Sequence, residues 1–150
     1  MNLEKISEEE LRELVVKSIE SPKKRAIKTF CEDSYEGPQV CLNVIQPGSY
    51  MRPHFRYQDE SIIHCSGRLI SIWFDENGGL IKKNDLNQKS PYLLLPKQTY
   101  HTVVALEPNS AIWMIVQGPH DPNKFRKDLE VAPRENENYG RYFDLLINNL

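Results

Sequence analysis

Three residues in the middle of the chain, His54, Arg56 and Glu60, and a fourth further on, His101, have types and spacing that could do chemistry. Gly48 is followed after five residues by His54, then Arg56, Glu60 and Gly67, with one, three and six residues in the gaps. Further on, Pro96 is followed five residues later by His101. Two imidazoles and one carboxylate on one face can hold a divalent ion and leave positions open for substrate. Along a strand, side chains two apart point the same way, so an inward His54 brings Arg56 inward with it. Arginine has no lone pair and is always protonated, so Arg56 cannot be a ligand and sets a positive charge beside any ion.

Two arrangements of these residues follow. In one, His54, Glu60 and His101 hold a divalent metal (Zn, Fe, Mn or Ni), and Arg56 turns outward or orients an anionic group of the ligand, with Arg52 nearby. In the other, Arg56 pairs with Glu60 and fills the space of the ion, since a buried guanidinium needs a charged partner. The chain is then either a metal-free enzyme, with His101 or His54 as base and Tyr100 as proton donor, or a binding or regulatory module with no turnover. His64 shares strand parity with Glu60 and could substitute as a ligand, although a hydrogen-bonded core histidine is the default for such a residue.

Strands are needed to position such a set, and the flanking sequence supplies them. Val40, Leu42 and Val44 alternate with Cys41 and Asn43 up to a turn at Pro47-Gly48. Further β segments are expected near 61–66, 68–74, 91–95, 101–106 and 111–117. Asp75-Glu76-Asn77-Gly78-Gly79 and Glu107-Pro108-Asn109-Ser110 separate them as turns. Short strands with almost no helix between them imply an antiparallel sandwich or barrel. Ahead of them, Ser7 and Glu10 form a capping box and Ile6 and Leu11 a hydrophobic staple, which opens a helix over 7–20. Ser21-Pro22 stops it, because a residue before proline is pushed out of the α region. Beyond Gly118-Pro119 the chain turns polar and irregular until Tyr142, Leu145, Leu146 and Leu150 suggest a short closing helix. The expected plan is one domain over 1–150, with a barrel over about 24–117 and an extension over 118–150.

Motif spacing adds a resemblance. The first set resembles the leading signature of the cupin superfamily, with Arg56 in place of its second histidine. Pro96 and His101 are similar to the second signature, with Gln98 and Ala105 in place of its Gly and Asn. The chain also resembles the WbuC family of cupin-fold metalloproteins from bacterial O-antigen gene clusters. Ser21-Pro22-Lys23-Lys24-Arg25, Pro47-Gly48-Ser49-Tyr50-Met51-Arg52-Pro53-His54 and Phe74-Asp75-Glu76-Asn77-Gly78 carry that likeness. Tyr100-His101 and Gly118-Pro119 add to it. The resemblance implies an all-β double-stranded β-helix, a small-molecule site in the barrel for a sugar derivative or anion, and a homodimer. Arg56 and Met114 are departures that bear on metal binding.

Composition narrows the remaining classes. The chain has 150 residues with 39% hydrophobic and 27% charged, an ordinary globular balance. A net charge of −2 offers no basic footprint for nucleic acid. The run Ala111–Val116 is too short to span a bilayer. Three cysteines, Cys31, Cys41 and Cys65, form no CxxC and are read as reduced strand or core residues, with Cys65 buried. Without an apolar leader, the expected location is the cytoplasm.

Overall fold

The computed structural model describes residues 5–150. The opening helix α1 spans Glu8–Glu20, and the capping box forms as expected. Ser7 N–H donates to Glu10 Oε2 at 2.7 Å and Glu10 N–H donates to Ser7 Oγ at 3.1 Å. Ser21 ends the helix in an extended conformation, with its N–H still bonded to Lys17 O.

Ten strands follow among the described residues: β1 (Arg25–Thr29), β2 (Pro38–Ile45), β3 (His54–Arg56), β4 (Glu60–Ser66) and β5 (Leu69–Phe74), then β6 (Leu80–Leu86), β7 (Tyr92–Leu95), β8 (Tyr100–Ala105), β9 (Ser110–Gln117) and β10 (Arg126–Asp128). They form two five-stranded antiparallel sheets, ordered β1-β2-β9-β4-β7 and β10-β3-β8-β5-β6. A second helix, α2, spans Gly140–Asn148.

Alternation along each strand sorts side chains into an interior between the sheets and two outer faces. The interior is apolar toward one end, where Ile45, Ile62, Leu69, Leu86, Leu95, Val103, Ala105, Ile112 and Met114 pack together. Each fully buried Leu or Ile contributes about 1.5–3 kcal/mol. The same face of β3, β4 and β8 carries His54, Arg56, Glu60 and His101 toward the other end, so the barrel has a dry half and a polar half. The outer faces are not solvated throughout. Leu14 of α1 packs on Leu42, Val44 and Ala111, with Ile6 and Leu11 beside it. Phe143 of α2 packs on Ile70, Ile72, Phe74 and Val104.

The two motif glycines have backbone reasons. Gly48 and Gly67 sit at φ +85° and +70°, where a side chain is strained. A Cβ on Gly67 would also collide with Ser110, whose hydroxyl ties the β4–β5 turn by accepting from Arg68 N–H and donating to Glu107 O.

Several expectations change. The extension over 118–150 is not all irregular: β10 joins the second sheet beside β3. Its three residues were too few for a periodic signal. Strand β6 was also missed, since its residues are mostly exposed and little apolar alternation marks it. The closing helix starts at Gly140, and Phe143 and Leu146 carry its packing while Leu145 and Leu150 are exposed. Cys65 is exposed rather than buried, because it alternates outward from Glu60 and Ile62. All three cysteines are free. No helix among the described residues is long and apolar enough to cross a membrane.

Candidate functional site

Register brings the polar residues together. His54 on β3 lies opposite His101 on β8, and their ring centroids are 4.8 Å apart. Arg56, two residues on, points the same way and meets Glu60 at the head of β4. Arg56 Nε donates to Glu60 Oε2 at 3.0 Å, with side-chain exposures of 10% and 2%. This is a desolvated ion pair, and its geometry is incomplete. Arg56 Nη1 and Glu60 Oε1 are both buried without a hydrogen-bond partner among the described residues.

The tautomers of both histidines follow from their neighbours. His54 Nδ1 lies 2.9 Å from Arg52 O, and His101 Nδ1 lies 2.9 Å from Thr99 O. A carbonyl only accepts, so each Nδ1 carries the proton and each Nε2 keeps a lone pair. Burial pushes the His54 pKa well below the ordinary histidine value, and His101 and Arg126 push it the same way. Burial also lowers His101, although the Glu60 carboxylate pulls it back up. Both rings are therefore neutral at pH 7. His101 Nε2 is 3.8 Å from Glu60 Oε2, too far for a hydrogen bond, and a neutral ring makes no ion pair there.

A pH dependence follows. In the unfolded chain both histidines take up protons below about pH 6.5, and in the native protein they resist. Stability should therefore fall as pH drops below about 6.5, continuing toward the depressed native values. Each histidine adds up to about 1.4 kcal/mol per pH unit. Urea titrations of wild type and His54→Gln between pH 7.5 and 5 test this. The variant should show a shallower loss, and equal slopes would mean that His54 titrates normally in the native state.

Above the ion pair lies a pocket of about 500 Å³, within the usual range for small-molecule sites. Arg56, Glu60, Cys41 and Met114 line it from the strands, and Tyr57 and Phe125 from the segments at its mouth. The Phe125 ring lies over Arg56, with Cζ 4.0 Å from the ring centroid. His120 packs edge-on against Phe125 at 4.4 Å. Burial pushes the Cys41 thiol up to about 11, with the Glu60 charge adding to it, so the thiol stays protonated and unreactive at neutral pH.

Other candidates lie elsewhere. Arg52 does not line the pocket; its guanidinium donates to Ala132 O, Leu129 O, Glu130 O and Asp128 Oδ2. Its work is to hold the C-terminal segment, which corrects its reading as a ligand-binding residue. Tyr100 is adjacent to His101 on β8 and so faces the opposite side of the sheet, where its ring packs on Phe55 at 4.8 Å. It is badly placed to donate a proton to anything His101 touches. His64 Nε2 is 2.7 Å from Gly67 O, at the far end of β4 from Glu60, so it is no substitute ligand. Sequence reasoning missed Arg126 and Asp128, which β10 places opposite Arg56 and His54, and it missed Phe125. No periodic signal marks them, since residues 126–128 are three consecutive charged residues.

The donor set does not fit a divalent ion. Glu60 is already engaged by a guanidinium that brings positive charge and no lone pair. Among the described residues, no three His, Cys, Asp or Glu side chains are gathered as a metal-holding group.

Two five-stranded antiparallel sheets enclosing a polar mouth define a cupin-type jelly roll, and comparison with solved structures supports that class. A cupin superfamily protein from Desulfitobacterium hafniense superimposes with a TM-score of 0.51 at 14% identity, over 65% of this chain and 78% of the other. The capsular polysaccharide assembling protein CapF from Staphylococcus aureus gives 0.60 at 21% identity, over 71% of this chain and 30% of CapF. KdgF from Halomonas sp. gives 0.53 at 18%, over 69% and 87%. At these identities the likeness is one of fold, and the chain corresponds to less than a third of CapF. No curated protein matches it in sequence. Residues 6–86 match the family model described as "Domain of unknown function (DUF6016)", and the chain belongs to that family.

Proposed function

We propose that this cupin binds a hydroxylated small molecule, a sugar or sugar derivative, at its barrel mouth, with the Arg56–Glu60 pair standing where a metal ion would otherwise sit. The observation that carries this is the pair itself. It lies at the floor of the pocket, and each partner keeps one unpaired polar atom, a donor on Arg56 and an acceptor on Glu60. Unpaired buried groups of this kind cost about 1–3 kcal/mol each, so a ligand that satisfies both gains that energy back. Hydroxyl groups can donate and accept, and they suit the two atoms together.

A neutral ligand is favoured over an anion. The charge of Arg56 is already offset by Glu60, and an added carboxylate would lie against the Glu60 oxygens. The resemblance to the WbuC family supports a role in envelope or O-antigen sugar chemistry. The printed name of CapF, a capsular polysaccharide assembling protein, agrees with that direction. His54 and His101 are buried and are not among the residues that line the pocket, so the reading is one of binding and assigns no general base.

Ligand-observed NMR against neutral monosaccharides and their uronic acids tests the reading. Neutral sugars should bind, with affinity reduced about tenfold in Arg56→Lys, because an ammonium cannot reproduce the guanidinium fork. Preference for the acids, or equal binding by Arg56→Lys, would sink it.

A further inference from the structure

We infer that Phe125 is the gate of this pocket: its ring covers the Arg56 guanidinium, and a ligand reaches the Arg56–Glu60 pair by displacing that ring. The inference rests on the proposed hydroxylated ligand and adds the residue that controls access and shapes selection.

Three observations combine. Arg56 Nη1 and Glu60 Oε1 have no partner among the described residues and are closed to solvent, on side chains about nine-tenths or more buried. The Phe125 ring covers one face of the guanidinium at 4.0 Å, a cation–π contact. The segment that carries Phe125 crosses the mouth after Gln117 and is held near its start by backbone bonds, Gly118 N–H to Gly37 O at 2.9 Å and His120 N–H to Asp33 O at 2.8 Å. From residue 121 to Phe125 the backbone bonds found among the described residues, outside strands, are local to Asp121: Lys124 N–H donates to Asp121 O and Asn123 N–H to Asp121 Oδ1. The ring is thus seated by its stack on Arg56 and its edge contact with His120, and a hinge is available between residue 120 and β10.

Displacement also says what shape the ligand has. The ring that leaves the guanidinium stays at the mouth on its short tether and presents an apolar face to whatever has entered. A cyclic, pyranose-type ligand has hydroxyl edges for Arg56 and Glu60 and a C–H face for Phe125. An open-chain polyol lacks that flat face and gains less.

Chemical modification of Arg56 reads the gate directly, whether or not a sugar binds. Native protein is treated with phenylglyoxal, and the extent of reaction at each arginine is followed by peptide mass mapping. Arg68, whose side chain is 50% exposed, and Arg52, at 14%, serve as internal references. Arg56 should react slowly in wild type and about tenfold faster in Phe125→Ala, the change expected from losing one desolvated cation–π cover. Phe125→Tyr should stay slow, and Arg52 and Arg68 should be unchanged. Equal Arg56 rates in wild type and Phe125→Ala would overturn the gate. A parallel rise at Arg52 would overturn it too, since that would report loss of the C-terminal packing rather than a displaced ring. A cyclic monosaccharide should slow the reaction of Arg56 in Phe125→Ala. If the gate behaves as expected and no sugar protects, the proposed ligand class fails while the gate stands.

Discussion

Arg56→Met on its own should destabilise the fold by about 3–5 kcal/mol, because it leaves the Glu60 carboxylate charged, buried and unpaired. Glu60→Leu should cost a similar amount by stranding the guanidinium. The double variant Arg56→Met/Glu60→Leu should lie close to wild type, since replacing both partners of a buried pair with apolar groups of similar volume is often neutral or stabilising. Side-chain exposures of 10% and 2% leave little solvent screening to reduce these numbers. Denaturant unfolding of the four proteins at pH 7.5 closes the cycle. Single-variant costs below about 1 kcal/mol would place the pair in solvent, where such contacts contribute little, and would remove the basis for treating it as a substitute for an ion. The double variant should also lose ligand binding despite folding well. That combination separates what the pair does for the site from what it does for stability.

Arg52→Met should be the other costly change, at about 3 kcal/mol, from loss of a charged donor set and exposure of its carbonyl acceptors. The guanidinium reaches Ala132 O at 3.0 Å, Leu129 O at 3.1 Å, Glu130 O at 3.3 Å and Asp128 Oδ2 at 3.4 Å. Leu129 and Ala132 are buried under α2, so freeing them loosens the whole C-terminal segment. Hydrogen exchange should show protection lost over 126–135 and retained in β2 and β9. Arg52→Lys should rescue little, since one ammonium cannot span four acceptors spread over a loop. Uniform protection across the chain in Arg52→Met would contradict this role.

How much of this could be read without a structure depends on how local the encoding is. The α1 cap is written within four residues, Ser7 to Glu10, and forms as read. The central strands announce themselves through alternation at Val40, Leu42 and Val44 and through the turns around Gly78 and Asn109, and their boundaries shift by one or two residues. The motif spacing placed His54, Arg56, Glu60 and His101 on one wall, and the register agrees. Reading failed where side-chain partners are distant. Arg52 lies two positions before His54 in the chain, but the acceptors that occupy its guanidinium lie 76 to 80 residues away. Tyr100 neighbours His101 in sequence, yet strand alternation sends the two to opposite faces.

By itself the sequence determined an antiparallel barrel with a helix near each end and a polar cluster on one wall, because capping and strand alternation act over a few residues. The tertiary structure alone decided that Arg56 turns inward onto Glu60 rather than outward, because that choice depends on how β3 and the head of β4 meet across the mouth. It alone recruited 118–128 to the site, through a three-residue strand and a single aromatic ring. Those contacts are selected by the shape and charge of a surface that exists only once the barrel has closed.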